Sequence, residues 1–153
     1  IRVEQQIIRK KNKLYDIVDL YCFYSKNVYN EANYIIRQEF IKNKNKLNAN
    51  DIQKLMQNMN CYKECGSQAA QKTIQMLDKA WKSFLVSIKD YTKNPNKYLG
   101  KPKIPKYLKK DGRYVFALKN IQCSLNNGVF RISFRNYARC YIDVKLQSNR
   151  ACI

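Results

Sequence analysis

From Leu14 onward the apolar residues fall at three- and four-residue steps. Leu14, Ile17, Val18, Tyr21, Cys22, Tyr24, Val28, Tyr29, Ala32, Ile35, Ile36 and Phe40 follow this spacing. It puts them on one face of a 3.6-residue repeat and predicts a long amphipathic helix over about 14–44. The polar stretch "KNKNKLNAN" ends it. Asn50 or Asp51 then suits the cap of a short helix, about 51–59, carrying Ile52, Leu55, Met56 and Met59. "CYKECGS" (61–67) reads as a break, with Gly66 for flexibility and Ser67 as the next N-cap. A third helix is predicted from there to about Lys93. Its apolar face is Ala70, Ile74, Leu77, Ala80, Trp81, Phe84, Leu85 and Ile88, with Tyr91 near the end and Pro95 as the stop.

Both ends of the chain read as strand. "RVEQQIIR" (2–9) suits a short strand, followed by a basic turn, "KKNK" (10–13). "RYVFALKNIQCSL" (113–125), "GVFRISF" (128–134) and "CYIDVKL" (140–146) are rich in β-branched and aromatic residues, and "NNG" (126–128) is a hairpin turn signal. Strand, three helices, then at least three strands is a segregated order, which predicts an α+β fold. A lone first strand finds partners only after the helices, so the helical block reads as an insertion. No internal repeat is evident.

Charge changes the picture most. Lys+Arg 30 against Asp+Glu 11 gives +19 on 153 residues, with a pI near 9.8. Such an imbalance favours a polyanionic partner, nucleic acid first; the plainer reading is a merely basic surface. An anionic membrane is a weaker option, since no apolar run approaches the roughly 18 residues of a spanning helix. The N-terminus has no continuous apolar stretch of the secretory kind and no initiator Met, which suggests a processed or trimmed chain. Hydrophobic residues at 45%, with only 4 Gly and 3 Pro, support a packed core of one domain or two small subdomains.

Candidate chemistry is sparse. There is no His, so the commonest acid–base residue is missing. Cys61 and Cys65 are spaced CxxxC, but zinc would need two more cysteines, such as Cys123 and Cys140, and reduced, half-buried thiols are the expectation. Asp16 and Asp19 on the first helix, and Asp78 and Asp90 on the third, read as solvated or ion-paired surface charges. Asp143 stands on a strand without partner carboxylates, and no Gly-rich phosphate loop is present. No catalytic residue is assigned.

Binding is better supported. From Lys93 to Lys119 there are nine Lys/Arg against one acid, Asp111, interleaved with Tyr91, Tyr98, Tyr107, Tyr114 and Phe116. Lysines neutralise phosphates, and aromatic faces stack on unpaired bases. Pro95, Pro102 and Pro105 keep the segment extended. A solvated connector whose aromatics simply pack inward is the alternative. Ser67, Gln68, Gln71, Lys72 and Gln75 line the polar start of the third helix, where side chains can read base edges and free N–H groups favour phosphate.

Taken in order, "RVEQQIIRKKNKLYDIVDLYCFYSKNVYNEANYIIRQEF", "SQAAQKTIQMLDKAWKSFLVSIKDY" and "NPNKYLGKPKIPKYLKKDGRY" resemble the N-terminal half of TnpB proteins. These are the OrfB-type proteins of insertion sequences, related to compact type V CRISPR effectors. The resemblance spans roughly 2–134 and is most specific at "YNEANYIIRQEF", "LDKAWKSF" and the P-x-x-P-K-Y…DGRY connector; 135–153 match poorly. It implies a small antiparallel β-barrel of the wedge (WED) type with an inserted helical recognition (REC) lobe. The corresponding division is a first barrel strand at 1–13, the helical lobe at 14–94, and the connector with the remaining strands at 95–153.

Family members are RNA-guided DNA endonucleases, so the resemblance implies a segment that grips guide RNA and the DNA motif beside the target. A RuvC-type metal-dependent nuclease half would follow it. "YIDVKL" lacks the look of that half's first catalytic segment, "GIDxG", so no catalytic role is carried onto Asp143. By resemblance, Ser67, Gln68, Gln71 and Lys72 face the motif duplex, Tyr29, Asn30 and Tyr34 line the same groove, and Lys101, Lys103, Lys106, Tyr107, Lys109 and Lys110 contact RNA or heteroduplex backbone. The expected partners are guide RNA and target double-stranded DNA, with no membrane and no small-molecule substrate. No cofactor is expected in this segment, Mg²⁺ being needed only by a nuclease half. The expected location is cytoplasmic, on the nucleoid when DNA is bound. The alternatives are a stand-alone DNA-binding regulator derived from such a protein, a nuclease complete in these residues, and a structural role in a complex with acidic proteins.

Overall fold

The computed structural model describes residues 7–126, 129–134 and 140–143. The chain forms two compact units, one of Tyr21–Ala117 and one of Ile1–Leu20 with Leu118–Ile153.

Four helices build the larger unit: α1 (Tyr15–Asn43, whose first turns belong to the other unit), α2 (Ala49–Met56), α3 (Asn60–Cys65) and α4 (Ser67–Lys93). Helix α1 ends where Lys44 turns left-handed at φ 54°. Helix α2 starts earlier than its sequence signals suggested. Asn48 Oδ1 accepts from the backbone N–H of Asn50 (2.8 Å) and Asp51 (3.1 Å), and Asp51 Oδ2 accepts from the N–H of Asn48 (3.3 Å). This capping box satisfies donors that the first turn would otherwise strand. The expected break at 61–67 is instead mostly the six-residue α3, which buries Tyr62 and Cys65. Gly66, at φ +83°, ends α3 and serves as N-cap of α4, so Ser67 is the first helical residue rather than the cap.

The core joins Val28, Ala32 and Ile36 of α1 to Ile52 and Met56 of α2, Tyr62 and Cys65 of α3, and Ala69, Ala70, Ile74, Leu77 and Trp81 of α4. Three alanines among them allow close helix approach, and the larger side chains each contribute about 1.5–3 kcal/mol by burial. Trp81 is fully buried, with the Phe40 and Phe84 rings edge-on at 5.4 and 5.8 Å. Leu55 and Ala80, placed on apolar faces by periodicity, are exposed. After α4 a 3₁₀ turn at Pro95–Lys97 leads into an irregular connector through Ala117, and the strand expected from residue 113 begins only at Cys123.

In the smaller unit a 3₁₀ turn (Asn120–Gln122) precedes β1 (Cys123–Asn126), β2 (Val129–Ile132) and β3 (Cys140–Asp143). They form an antiparallel sheet in the order β1-β2-β3, with Cys123 opposite Ile132 and Ile132 opposite Cys140. Asn126 opposite Val129 leaves a two-residue connection, and residues 127–128 of the expected turn lie outside the described residues. Ile132 and Phe134 are buried.

The expected β-barrel with an inserted helical lobe is not what the chain forms. Helices dominate, and among the described residues the sheet is an open three-stranded meander whose outer strands do not pair. Three strands of four residues offer too little ladder to curl one edge onto the other. Residues 7–9 of the expected first strand are not in a strand, and residues 2–6 lie outside the described residues, as do 144–146 of the third C-terminal one.

Candidate nucleic-acid interface

An extended segment outside a sheet must find other partners for its backbone polar groups. Helix α1 supplies them. Ser25 Oγ donates to the Val115 carbonyl (2.8 Å), Lys26 Nζ to Lys110 (2.7 Å), Tyr29 Oη to Lys106 (3.3 Å), and Asn33 Nδ2 and Arg37 Nη2 both to Pro105 (3.0 and 2.5 Å). Asn30 makes two bonds to Leu108, donating to its carbonyl (3.0 Å) and accepting from its N–H (2.9 Å). In the other sense, the Tyr114 N–H donates to the Cys22 carbonyl at 3.1 Å. From Cys22 with Tyr114 to Arg37 with Pro105, connector numbers fall broadly as α1 numbers rise, so the segment runs antiparallel to the helix.

Sequence periodicity explains this seam in part. Ser25, Tyr29, Asn33 and Arg37 step by four, which stacks them in one row on a helix. Ser25, Lys26 and Asn33 are buried polar residues inside what was expected to be an apolar face. Sequence reasoning singled out only Tyr29 and Asn30 of this seam; the signal for the others was polar residues interrupting an apolar stripe at a four-residue step. Burial pushes the Lys26 ammonium below its ordinary range, with the Arg113 charge adding to the effect and Asp111 opposing it. Its Nζ also lies 4.0 Å from the Phe23 ring centroid. Burial pushes the Tyr29 hydroxyl up, and the ring packs 4.6 Å from that of Tyr114.

The seam sorts the connector side chains. Ile104, Leu108, Tyr114 and Phe116 pack against the core. A turn from Lys109 to Gly112, closed by the Gly112 N–H on the Lys109 carbonyl (2.9 Å), re-aims the chain. Lys101, Lys103, Lys106, Lys109 and Lys110 are all exposed, as is Tyr107, over whose ring the Arg37 guanidinium sits at 4.4 Å from the centroid. From Lys106 to Lys110 the basic residues are therefore exposed on a backbone tied down to α1.

The remaining predicted positions are distributed elsewhere. Ser67 is exposed at the start of α4, and Gln68, Gln71 and Lys72 are half-buried behind it. Tyr34 is 52% exposed on α1. Tyr29 and Asn30, expected to face a duplex, are engaged with the chain's own backbone.

Upstream, Asp90 organises the loop after α4. It accepts from Asn94 Nδ2 (2.9 Å) and Tyr98 Oη (2.7 Å), with Lys97 Nζ at 3.6 Å, and the Asn94 and Tyr98 bonds lead in holding its carboxyl below the usual range. Asp78 is buried rather than a surface charge. Burial alone would raise its carboxyl, but hydrogen bonds from Lys46 and Lys82 (the latter at 2.8 Å) outweigh it and hold the group low. Burial pushes the Cys65 thiol up to about 12, the largest of several causes, leaving it inert near neutral pH. Cys61, Cys65 and Cys123 are free thiols.

Among the described residues, no group of three or more Cys, Asp or Glu is placed to hold a metal ion, and no helix is long and apolar enough to cross a membrane. The arrangement offers cation display and aromatic surface. No protein-family model, curated protein or solved structure matches the chain.

Proposed function

We propose that this chain is the nucleic-acid-binding part of a TnpB-like RNA-guided DNA endonuclease, holding guide RNA and the duplex beside the target, and that it is not catalytic by itself. The observation that supports this most is the run of exposed lysines Lys101, Lys103, Lys106, Lys109 and Lys110 on a connector that is pinned to α1 from Pro105 onward. A flexible lysine tail loses conformational freedom on binding, whereas a pinned segment has already lost much of it. The net charge of +19 supplies long-range attraction to the same partner. The start of α4, with Ser67 exposed beside Gln68, Gln71 and Lys72, is the second surface, suited to a duplex groove.

Salt titration of RNA binding tests the reading. The logarithm of affinity should fall linearly with the logarithm of salt. Replacing Lys103 and Lys109 together by Ala should flatten the slope by about 1.4, at roughly 0.7 per lost single-strand phosphate contact. Affinity that holds constant from low to moderate salt would count against the proposal. A duplex-only preference that survives loss of the connector lysines would move the site to the start of α4.

A further inference from the structure

Tyr107 differs from the other connector aromatics. Tyr114 and Phe116 pack on the core, and Tyr114 meets Tyr29 there. Tyr107 instead turns outward and is 45% exposed, with one ring face on the Arg37 guanidinium. Arg37 is itself fixed, because Nη2 donates to the carbonyl of Pro105, two residues before the ring it supports. Among the described residues its Nε is buried without a hydrogen-bond partner, so ring and carbonyl together define where the guanidinium lies. Lys106, Lys109 and Lys110, within three residues of Tyr107 in the chain, are exposed, and Tyr34 is exposed one turn before Arg37 on α1.

We propose that Tyr107, backed by Arg37, is a stacking platform for an unpaired nucleobase, and that it makes the basic strip prefer single-stranded over fully paired nucleic acid. This rests on the nucleic-acid reading above. Two physical points carry it. A cation beneath one face of an aromatic ring holds the ring in place through its quadrupole and leaves the other face for a planar ligand. Every unpaired base presents such a plane, whereas a duplex keeps its base faces inside the stack. The lysines near it in the chain then bind the phosphates on either side of the stacked base.

The test compares three probes at one salt concentration with the full chain: oligouridine of about 12 nucleotides, an abasic strand of equal length, and an RNA duplex. Tyr107→Ala and Tyr107→Leu should each weaken oligouridine binding about tenfold and leave the abasic strand and the duplex within about twofold. Tyr107→Phe should bind as the parent does, and the salt slope should not change, because no phosphate contact is lost. Equal weakening on all three probes, or no weakening on oligouridine, would overturn the platform. If the parent chain binds none of the three, the nucleic-acid reading itself falls. If lysine substitutions weaken binding while Tyr107→Ala does not, only the platform falls.

Discussion

The Asn30 side chain pairs with the backbone of Leu108 at both of its polar groups, donating to the carbonyl at 3.0 Å and accepting from the N–H at 2.9 Å. An amide side chain here does what a neighbouring strand does in a sheet, and it holds the centre of the basic connector. Asn30→Ala strands both groups in a half-buried seam, and should cost about 1–2 kcal/mol. The effect should be local as well as global. Limited trypsin digestion should cut faster after Lys106, Lys109 and Lys110, and the Leu108 amide should exchange faster than in the parent. Unchanged exchange at Leu108 would show that the connector is held without Asn30.

Asn33 ties three elements together. It accepts the indole N–H of Trp81 (3.0 Å) and donates to the Pro105 carbonyl (3.0 Å), with Asn33 and Trp81 both fully buried. Asn33→Leu keeps the volume and removes both bonds. Each buried group left unpaired costs about 1–3 kcal/mol, so the variant should unfold at clearly lower denaturant. Trp81 is the single tryptophan, so its emission reports on the site directly. A variant with the parent's midpoint and emission would mean that the indole and the carbonyl find other partners.

The helices were legible because their signals are local. Periodicity located α1 and α4 to within about a residue, since Pro95 and the polar run after Phe40 stop them sharply. The hairpin partners at β1 and β2 were legible for the same reason. Residues 113–119 misled because β-branched and aromatic residues suit any half-buried extended backbone, and here the partner is a helix row rather than a strand. That the described strands form an open sheet rather than the expected closed barrel was not legible at all, because closure depends on which edges meet, and strand composition is silent on that. At the candidate site, lysine density was visible from composition. That Ser25, Lys26, Asn33 and Arg37 would anchor the connector was not, since polar residues on a helix read as solvent-facing until a partner segment is known to cover them.

Asp78 makes acid sensitivity a property of the core. Its side chain is 7% exposed and is bonded by Lys46 and Lys82. The folded carboxyl is held low, so its contribution to stability is complete above the ordinary aspartate value of about 3.9 and is lost as pH falls through the lower, folded value. Denaturant midpoints measured from neutral pH downward should therefore drop in the parent below about pH 4. Asp78→Asn should be weaker at neutral pH by about 1.5–3 kcal/mol, having lost charge-assisted bonds, and should lose less on acidification. Parallel pH profiles for the two proteins would show that other carboxylates dominate.

Gly66 sets the direction in which α4 leaves α3, and with it the aim of Ser67, Gln68, Gln71 and Lys72. Its φ of +83° lies in a region that side-chain-bearing residues adopt at a cost. A Cβ built there meets nothing within 4 Å, so Gly66→Ala introduces backbone strain without a clash. The expected penalty is about 1–3 kcal/mol, read as a fall in thermal midpoint with the helical circular dichroism of the folded state retained. Gly112→Ala is the contrasting case, because its Cβ would come to 3.1 Å from the Lys109 carbonyl inside the connector turn. That variant should disturb the lysine row more than the helices, slowing or weakening RNA binding at a given salt while the midpoint moves less. If instead Gly66→Ala matches the parent in midpoint, the α3–α4 junction relaxes into an ordinary backbone conformation and its geometry does not depend on glycine.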